Sequence, residues 1–232
     1  MTEKLINNKD YTDFPFEDLP GSKWIISMIL LFGGFLVSSF NFINPFLSFA
    51  IFIGSSFGSL FVLNRRWYRY LIKSIEARDI LVIIFVLILT YAFAFLSSSF
   101  IDGANMEENP IVDLLEKDTI KLLALIVIIQ LFTEEILFVV PFLFCYHKLK
   151  GLNKGVALII AWLVSSIIFG ALHLPTYNYN LEQSLIVISS IRFALSLAYI
   201  LRKNLLVSYI IHLLYDGIIF VFVFLAKLYG YY

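Results

Sequence analysis

Cysteine is nearly missing from this sequence. Cys145 is the only one in 232 residues, which excludes an intrachain disulfide and any cysteine-based metal cluster, and leaves the redox compartment open. Charge is scarce as well: Asp, Glu, Lys and Arg make up 15% of the chain and cancel to a formal net charge of zero. No basic block stands apart from the apolar stretches, so nothing resembles a nucleic-acid footprint. There is no low-complexity tract, no soluble domain and no internal repeat. The first 22 residues are polar and mixed in charge, with Asp10, Asp13, Glu17 and Asp18 against Lys4 and Lys9. That is not the short basic region of a secretory signal, and no cleavage is expected.

What is present is apolar. Hydrophobic residues make up 60% of the chain and the mean hydropathy is +0.89, well beyond a soluble globular domain. Runs approaching the roughly 20 residues that a helix needs to cross about 30 Å of hydrocarbon recur along most of the length. The expected fold is all-α, a polytopic transmembrane bundle of about seven spans. They are read at 24–43, 45–63, 80–100, 119–146, 155–174, 182–200 and 204–228. The organisation that follows is an N-terminal segment over 1–23, helices and loops over 24–118, a helical core over 119–228 and a tail over 229–232. The first two spans, parted only by Asn44 before Pro45, form a tight hairpin unless one of them falls short of crossing.

The loops alternate in charge. Arg65, Arg66, Arg69, Lys73 and Arg78 follow span two, Lys148, Lys150 and Lys154 follow span four, and Arg202 and Lys203 follow span six. Residues 101–118 hold Asp102, Glu107, Glu108, Asp113, Glu116 and Asp118 against Lys117 alone. By the positive-inside rule the N-terminus is cytoplasmic and the C-terminus outside. Residues 66–79 form either a short amphipathic surface helix, with Trp67 and Tyr68 at headgroup level, or a solvated connector. The lean toward Ile, Phe, Asn, Lys and Tyr is that of an AT-rich bacterial genome, so a bacterial plasma membrane is the expected location.

Ionisable groups lie where lipid should be. Glu134 and Glu135 fall in span four, His173 near the end of span five, Arg192 in the middle of span six, and His212 with Asp216 in span seven. Each costs several kcal/mol by most estimates if left in hydrocarbon, so such groups face the bundle interior and serve a purpose. A purely structural polar network is the bland alternative, but an interhelical polar contact contributes only about 0.6 kcal/mol. Adjacent glutamates project about 100° apart, so Glu134 and Glu135 have different roles. His212 and Asp216, four residues apart, share a helix face. His147, beside Lys148 at the cytoplasmic edge, reads as a surface residue. The serines at 97–99, 165–166 and 189–190 read as packing material between helices.

A carboxylate and two histidines from separate helices can activate water, directly or through a divalent metal held by Glu134, His173 and His212. Either route gives hydrolysis. The His-Glu-x-x-His spacing of a zinc-binding helix is absent. Counted from the cytoplasmic span ends at about 1.5 Å per residue, Glu134 lies roughly 18 Å deep, His212 about 13 Å and His173 about 27 Å. A common site therefore needs tilted helices or a span that ends near Pro175.

The order Thr133-Glu134-Glu135-Ile136-Leu137-Phe138, Phe169-Gly170-Ala171-Leu172-His173 and His212-Leu213-Leu214-Tyr215-Asp216 resembles the CPBP family of intramembrane proteases. This family is also called the CAAX-protease and bacteriocin-processing, or Abi, family, and the resemblance covers roughly residues 119–220. Its motifs read Glu-Glu-x-x-x-Arg, Phe-x-x-x-His and His-x-x-x-Asn/Asp. By position the resemblance makes Glu134 the water-activating carboxylate, His173 its partner, and His212 with Asp216 the remaining pair. It implies a zinc-like divalent ion in some members and a metal-independent mechanism in others. The substrate it implies is a small membrane-associated peptide or protein, of the pheromone or bacteriocin maturation or immunity type, with prenylated substrates ranked last.

One position departs from the pattern: the motif arginine is Val139, followed by Val140. Arg192 in span six is then the cation expected to pair with Glu135. If no cation replaces the arginine, the chain reads instead as a degenerate scaffold that binds a membrane-protein partner such as a cell-wall enzyme. A proton-coupled transporter is a third class, but no paired half-helices of the inverted-repeat kind are evident.

Overall fold

A computed structural model gives the fold and describes residues 13–39, 44–115, 120–149 and 151–230. Lys4, Lys9, Asp10, Glu116, Lys117, Asp118 and Lys150, which entered the charge pattern above, lie outside the described residues, as do the ends of the first predicted span and of the tail. The described residues are helical with no strand. The helices are α1 (Gly21–Ser39), α2 (Pro45–Leu63), α3 (Tyr68–Leu71), α4 (Ala77–Ser98), α5 (Ile120–Leu149), α6 (Lys154–Leu172), α7 (Ser189–Arg202) and α8 (Leu205–Leu228). A π-helical turn, Gln183–Ile188, leads directly into α7. Seven of these elements are long and apolar enough to cross a membrane, counting Gln183–Arg202 as one span.

Both α1 and α2 reach span length, so the hairpin reading holds for the pair. They pack most heavily on each other. Gly34 lets them approach, since a Cβ there would lie 1.7 Å from Ser55 Oγ. Between lipid-embedded helices there is no large hydrophobic driving force, and small residues that let backbones close are the usual adhesive. The 66–79 connector is not an amphipathic helix: only one turn forms at α3, and residues 72–76 are non-helical.

The core is built around α5. Every residue from Thr133 to Leu143 is buried, as expected for a helix enclosed on all sides rather than one with a lipid face. It pairs with α6, and contacts α2 and α8; α4 packs on α7 and α8, and α6 on α7. Large apolar side chains such as Ile29, Leu81, Ile88, Phe95 and Phe222 are left exposed around the outside, where acyl chains would cover them.

The two ends of the bundle are closed differently. At one end the N-terminal segment is strapped down. Asp13 accepts hydrogen bonds from Tyr146 Oη (2.6 Å) and Lys154 Nζ (2.9 Å), and the His147 ring bonds the Pro15 carbonyl at 2.7 Å. Phe14 sits edge-on to Phe142 and Tyr146. His147 is thus a half-buried tether rather than a surface group. At the other end two loops interlock. The Gln183 amide exchanges hydrogen bonds with the Glu107 backbone (2.8 and 2.9 Å), Asn178 donates to Glu107 Oε2, and Asn180 donates to the Asn105 carbonyl.

Candidate active site

Four helices bring the intramembrane polar groups together. Helix α6 ends at Leu172 with His173 as its C-terminal cap, and the following Pro175 starts a 3-10 turn. This early stop is one of the two devices that the depth mismatch called for. Glu134 Oε2 lies 3.9 Å from His173 Nε2 and 3.8 Å from His212 Nε2, and His212 Nε2 lies 3.5 Å from Asp216 Oδ2. Depths that differ on paper therefore converge in space, which requires that the helix ends on the strapped side are not level.

The ring nitrogens can be assigned from their partners. His173 Nδ1 is 2.8 Å from the Phe169 carbonyl, which only accepts, so this nitrogen carries the proton and Nε2 faces Glu134. His212 Nδ1 is 2.8 Å from Glu135 Oε1 and donates to it by the same reasoning, again leaving Nε2 toward Glu134. The two adjacent glutamates do divide their roles, and His212 touches both.

Glu135 is completely buried and anchored. Arg192 donates to it bidentately from α7, NH1 to Oε1 at 2.7 Å and NH2 to Oε2 at 2.8 Å. Ser208 Oγ adds a third donor at 2.5 Å. The guanidinium lies 4.7 Å from the ring centroids of Phe138 and of Phe169, a cation–π arrangement that replaces part of its lost hydration. Close packing makes this reach possible. A Cβ on Gly170 would lie 2.1 Å from Ser189 Oγ and 2.3 Å from the Ser184 carbonyl, so only glycine lets α6 meet the π turn here. His173 and Arg192 each follow that contact by three residues.

Exposure rises across the site. The Glu135 and Arg192 side chains are sealed, while those of His173 and Asp216 are 17% and 24% exposed. The site therefore opens toward the end closed by the interlocked loops. Tyr177 lies at that rim: burial, together with the negative charge of Asp216, pushes its phenol up to about 12, against a hydrogen bond from Asn109.

Two members of the group escaped the sequence reading. Gln130 donates to Glu134 Oε1 at 3.0 Å, and Ser208 holds Glu135. Each stands four residues before a recognised group, Glu134 and His212, so helical spacing was the available signal. The serines set aside as packing material behave so where they bond: Ser97, Ser98, Ser99 and Ser166 turn to carbonyls of their own helices, and Ser189 to Ser184 O.

The donors stand near metal-ligand spacing without matching it throughout: His212 Nε2 and Asp216 Oδ2 are 3.5 Å apart, and the Glu134 contacts are longer. Two ligands sharing a tetrahedral zinc-like ion at about 2.0–2.2 Å would be roughly 3.3–3.6 Å apart, whereas Glu134 Oε2 stands 3.8–3.9 Å from either imidazole. Among the described residues no group of three or more His, Cys, Asp or Glu has metal-site spacing.

The arrangement is a carboxylate facing two fixed imidazoles, partly exposed, inside a bundle of span-length helices. Residues 116–218 match the family described as Type II CAAX prenyl endopeptidase Rce1-like. The match covers less than half of the chain, and over that segment the sequence is similar to the CPBP/CAAX proteases. No curated protein and no solved structure matches the chain. The CPBP/CAAX match includes Glu134, His173, Arg192, His212 and Asp216. The position of the motif arginine, Val139, is fully buried, and Arg192 brings a guanidinium to Glu135 from another helix instead.

Proposed function

We propose that the chain is an active intramembrane endopeptidase of a bacterial plasma membrane that hydrolyses a peptide bond in a small membrane-associated peptide or protein. The observation that carries this reading is the placement of Glu134 Oε2 within 3.8–3.9 Å of both Nε2 atoms. Those gaps exceed a direct hydrogen bond and suit groups that share one bridging water.

Glu134 takes a proton from that water as its oxygen bonds to the scissile carbonyl carbon, and the carbonyl π pair moves onto oxygen. The oxyanion forms beside the His212 ring, whose Nε2 lies 3.5 Å from Asp216 Oδ2. Glu134 then returns its proton to the amine nitrogen as the carbon–nitrogen bond breaks. Glu135, Arg192 and Ser208 touch no reacting atom in this scheme; they hold His212 in one orientation. A substrate approaches from the loop-covered end, where Asp216 and His173 are accessible.

Pheromone or bacteriocin maturation, or immunity, is the preferred biological setting. The matched family's description names a prenyl endopeptidase, which puts a lipidated peptide end beside it as a second substrate class. A scaffold without catalysis has less support, because the charge lost at Val139 is supplied by Arg192. The test is peptidomics of membranes carrying wild type, Glu134→Ala or His173→Ala at matched protein levels. Peptides that appear only with the wild type support the protease, whereas an unchanged profile moves the reading to a scaffold that binds a partner.

A further inference from the structure

The reacting centre gathers acceptors. With their protons on Nδ1, both imidazoles turn Nε2 toward Glu134 Oε2, and Asp216 Oδ2 stands 3.5 Å from His212 Nε2. The side-chain donors around them are committed: Gln130 bonds Glu134, while Arg192 and Ser208 serve Glu135, which is sealed from the opening. Peptide hydrolysis places negative charge on the carbonyl oxygen, and a donor fixed at that point is usually the largest single contribution to the rate. We infer that the Tyr177 phenol donates its O–H to this oxygen as the charge forms, and that Asn109 aims the proton. This role presupposes the endopeptidase chemistry proposed above and supplies the oxyanion donor which that scheme lacks.

The backbone around Tyr177 is held on both sides. Tyr177 ends the 3-10 turn that follows α6, four residues after His173, and its N–H bonds the His173 carbonyl at 3.3 Å. The chain then reverses through Asn178 and Tyr179, at φ 49° and 61°. Two successive left-handed residues other than glycine are unfavourable by themselves. They are secured by the Tyr179 N–H to the Leu174 carbonyl at 2.7 Å and by the bonds of Asn178 and Asn180 to Glu107 and Asn105. The Tyr177 side chain is 8% exposed and turned inward, although Pro175, Asn178 and Tyr179 beside it are exposed.

Hydrogen bonding sets the direction of the proton. Asn109 Oδ1 accepts from the Ile111 N–H at 3.1 Å, which fixes the amide and turns its Nδ2 to the Tyr177 hydroxyl oxygen at 3.5 Å. Toward the loop the phenol is therefore an acceptor, and among the described residues its own proton has no bonded acceptor. The charges that bear on it are those of Asp216 on α8 and Glu134 on α5, the carboxylates of the reacting centre. Burial first, then these charges, push the phenol up to about 12 against the bond from Asn109, so it stays protonated across the working pH range. It acts as a donor and not as a base. The water proton goes to Glu134, the carbonyl π pair moves onto oxygen, and the Tyr177 O–H closes on that oxygen without leaving the phenol.

The full-length protein in liposomes is screened against an internally quenched peptide library. Then kcat and KM are measured on a member that the wild type cleaves and Glu134→Gln does not. Tyr177→Phe keeps the ring and removes only the hydroxyl. It should lower kcat about 10²–10³-fold, the loss for one oxyanion donor, with KM and Tm close to wild type. Asn109→Asp keeps an acceptor for Ile111 but offers the phenol proton a partner away from the substrate, so it should lower kcat as well and add little to Tyr177→Phe. A Tyr177→Phe kcat within about threefold of wild type overturns the assignment and leaves the endopeptidase standing. So does an equal loss from Asn109→Asp with and without the hydroxyl, because it then acts by charge alone. If Tyr177→Phe melts early, Asn109→Asp carries the test, and an unchanged kcat there also overturns the role. Equal cleavage by wild type and Glu134→Gln, or none by either, fails the endopeptidase reading itself and this role with it.

Discussion

Arg192 on α7 holds both carboxylate oxygens of Glu135 on α5, at 2.7 and 2.8 Å, across 57 residues of sequence. Removing one partner of such a sealed pair leaves the other charged and unsatisfied, at a cost of about 3–5 kcal/mol. Arg192→Ala should therefore lower Tm in detergent and loosen His212 through Glu135. Val139 is four residues beyond Glu135, on the same helix face, so Val139→Arg added to Arg192→Ala should recover part of the loss. If Arg192→Ala leaves stability and peptide processing untouched while Glu134→Ala abolishes processing, Arg192 is not the replacement cation.

Gly170 is the second point of leverage. A methyl group there meets the Ser184 carbonyl at 2.3 Å, which is backbone and cannot rotate away. Gly170→Ala should push α6 from the π turn and cost about 1–3 kcal/mol, with a larger loss for Gly170→Val. Because His173 and Arg192 both follow this contact, processing should fall further than the change in Tm alone would suggest. A Gly170→Ala protein with wild-type Tm and activity would show that the close approach is dispensable.

Chelators should not stop peptide processing, because the reaction is written for Glu134 and two imidazoles spaced 3.8–3.9 Å from it. The check is cleavage by purified protein before and after incubation with a strong zinc chelator. Loss of activity that added zinc restores would place an ion among Glu134, His173 and His212, and the direct general-base scheme would fail.

Acid should release the N-terminal strap. Burial pushes the Asp13 carboxyl up, but hydrogen bonds from Tyr146, Lys154 and the Phe14 N–H, with the Lys154 charge, hold it down to about 2, below the ordinary 3.8. A carboxyl lowered on folding gives its full stabilisation above the unfolded value and loses it as pH falls through the folded one. The Tm difference between wild type and Asp13→Asn should be steady above about pH 5 and shrink progressively as pH falls, with most of the loss complete only below about pH 2. A difference that stays constant over that range would contradict the low value.

The spans were legible because membrane helices must be long and apolar, and all seven fell within a few residues of their expected bounds. The Glu134, His173, His212 and Asp216 set was legible because charge inside lipid is rare. Arg192 could be paired with Glu135 from the missing motif arginine alone. What sequence could not supply was distance. Gly170 carries no side chain to signal its role, and Ser208 looks like any small residue between helices. The N-terminal segment reads as polar, yet Phe14 and Phe16 are 6% and 8% exposed, because its few aromatic residues insert where the bundle leaves room. The depth mismatch among Glu134, His173 and His212 came from assuming level helix ends.

The wide turn at Gln183–Ile188 acts as a phase setter. Gln183 is pinned to the Glu107 backbone at one end of the span, and Arg192 must meet Glu135 nine residues later. Wound as an ordinary α-helix at about 100° per residue, the same stretch would turn Arg192 roughly a quarter-circle away from that carboxylate. The extra residue in the turn thus reconciles two appointments that a regular helix could keep only one at a time. Losing it would uncouple the loop clasp from the anchored glutamate without altering a single side chain in either.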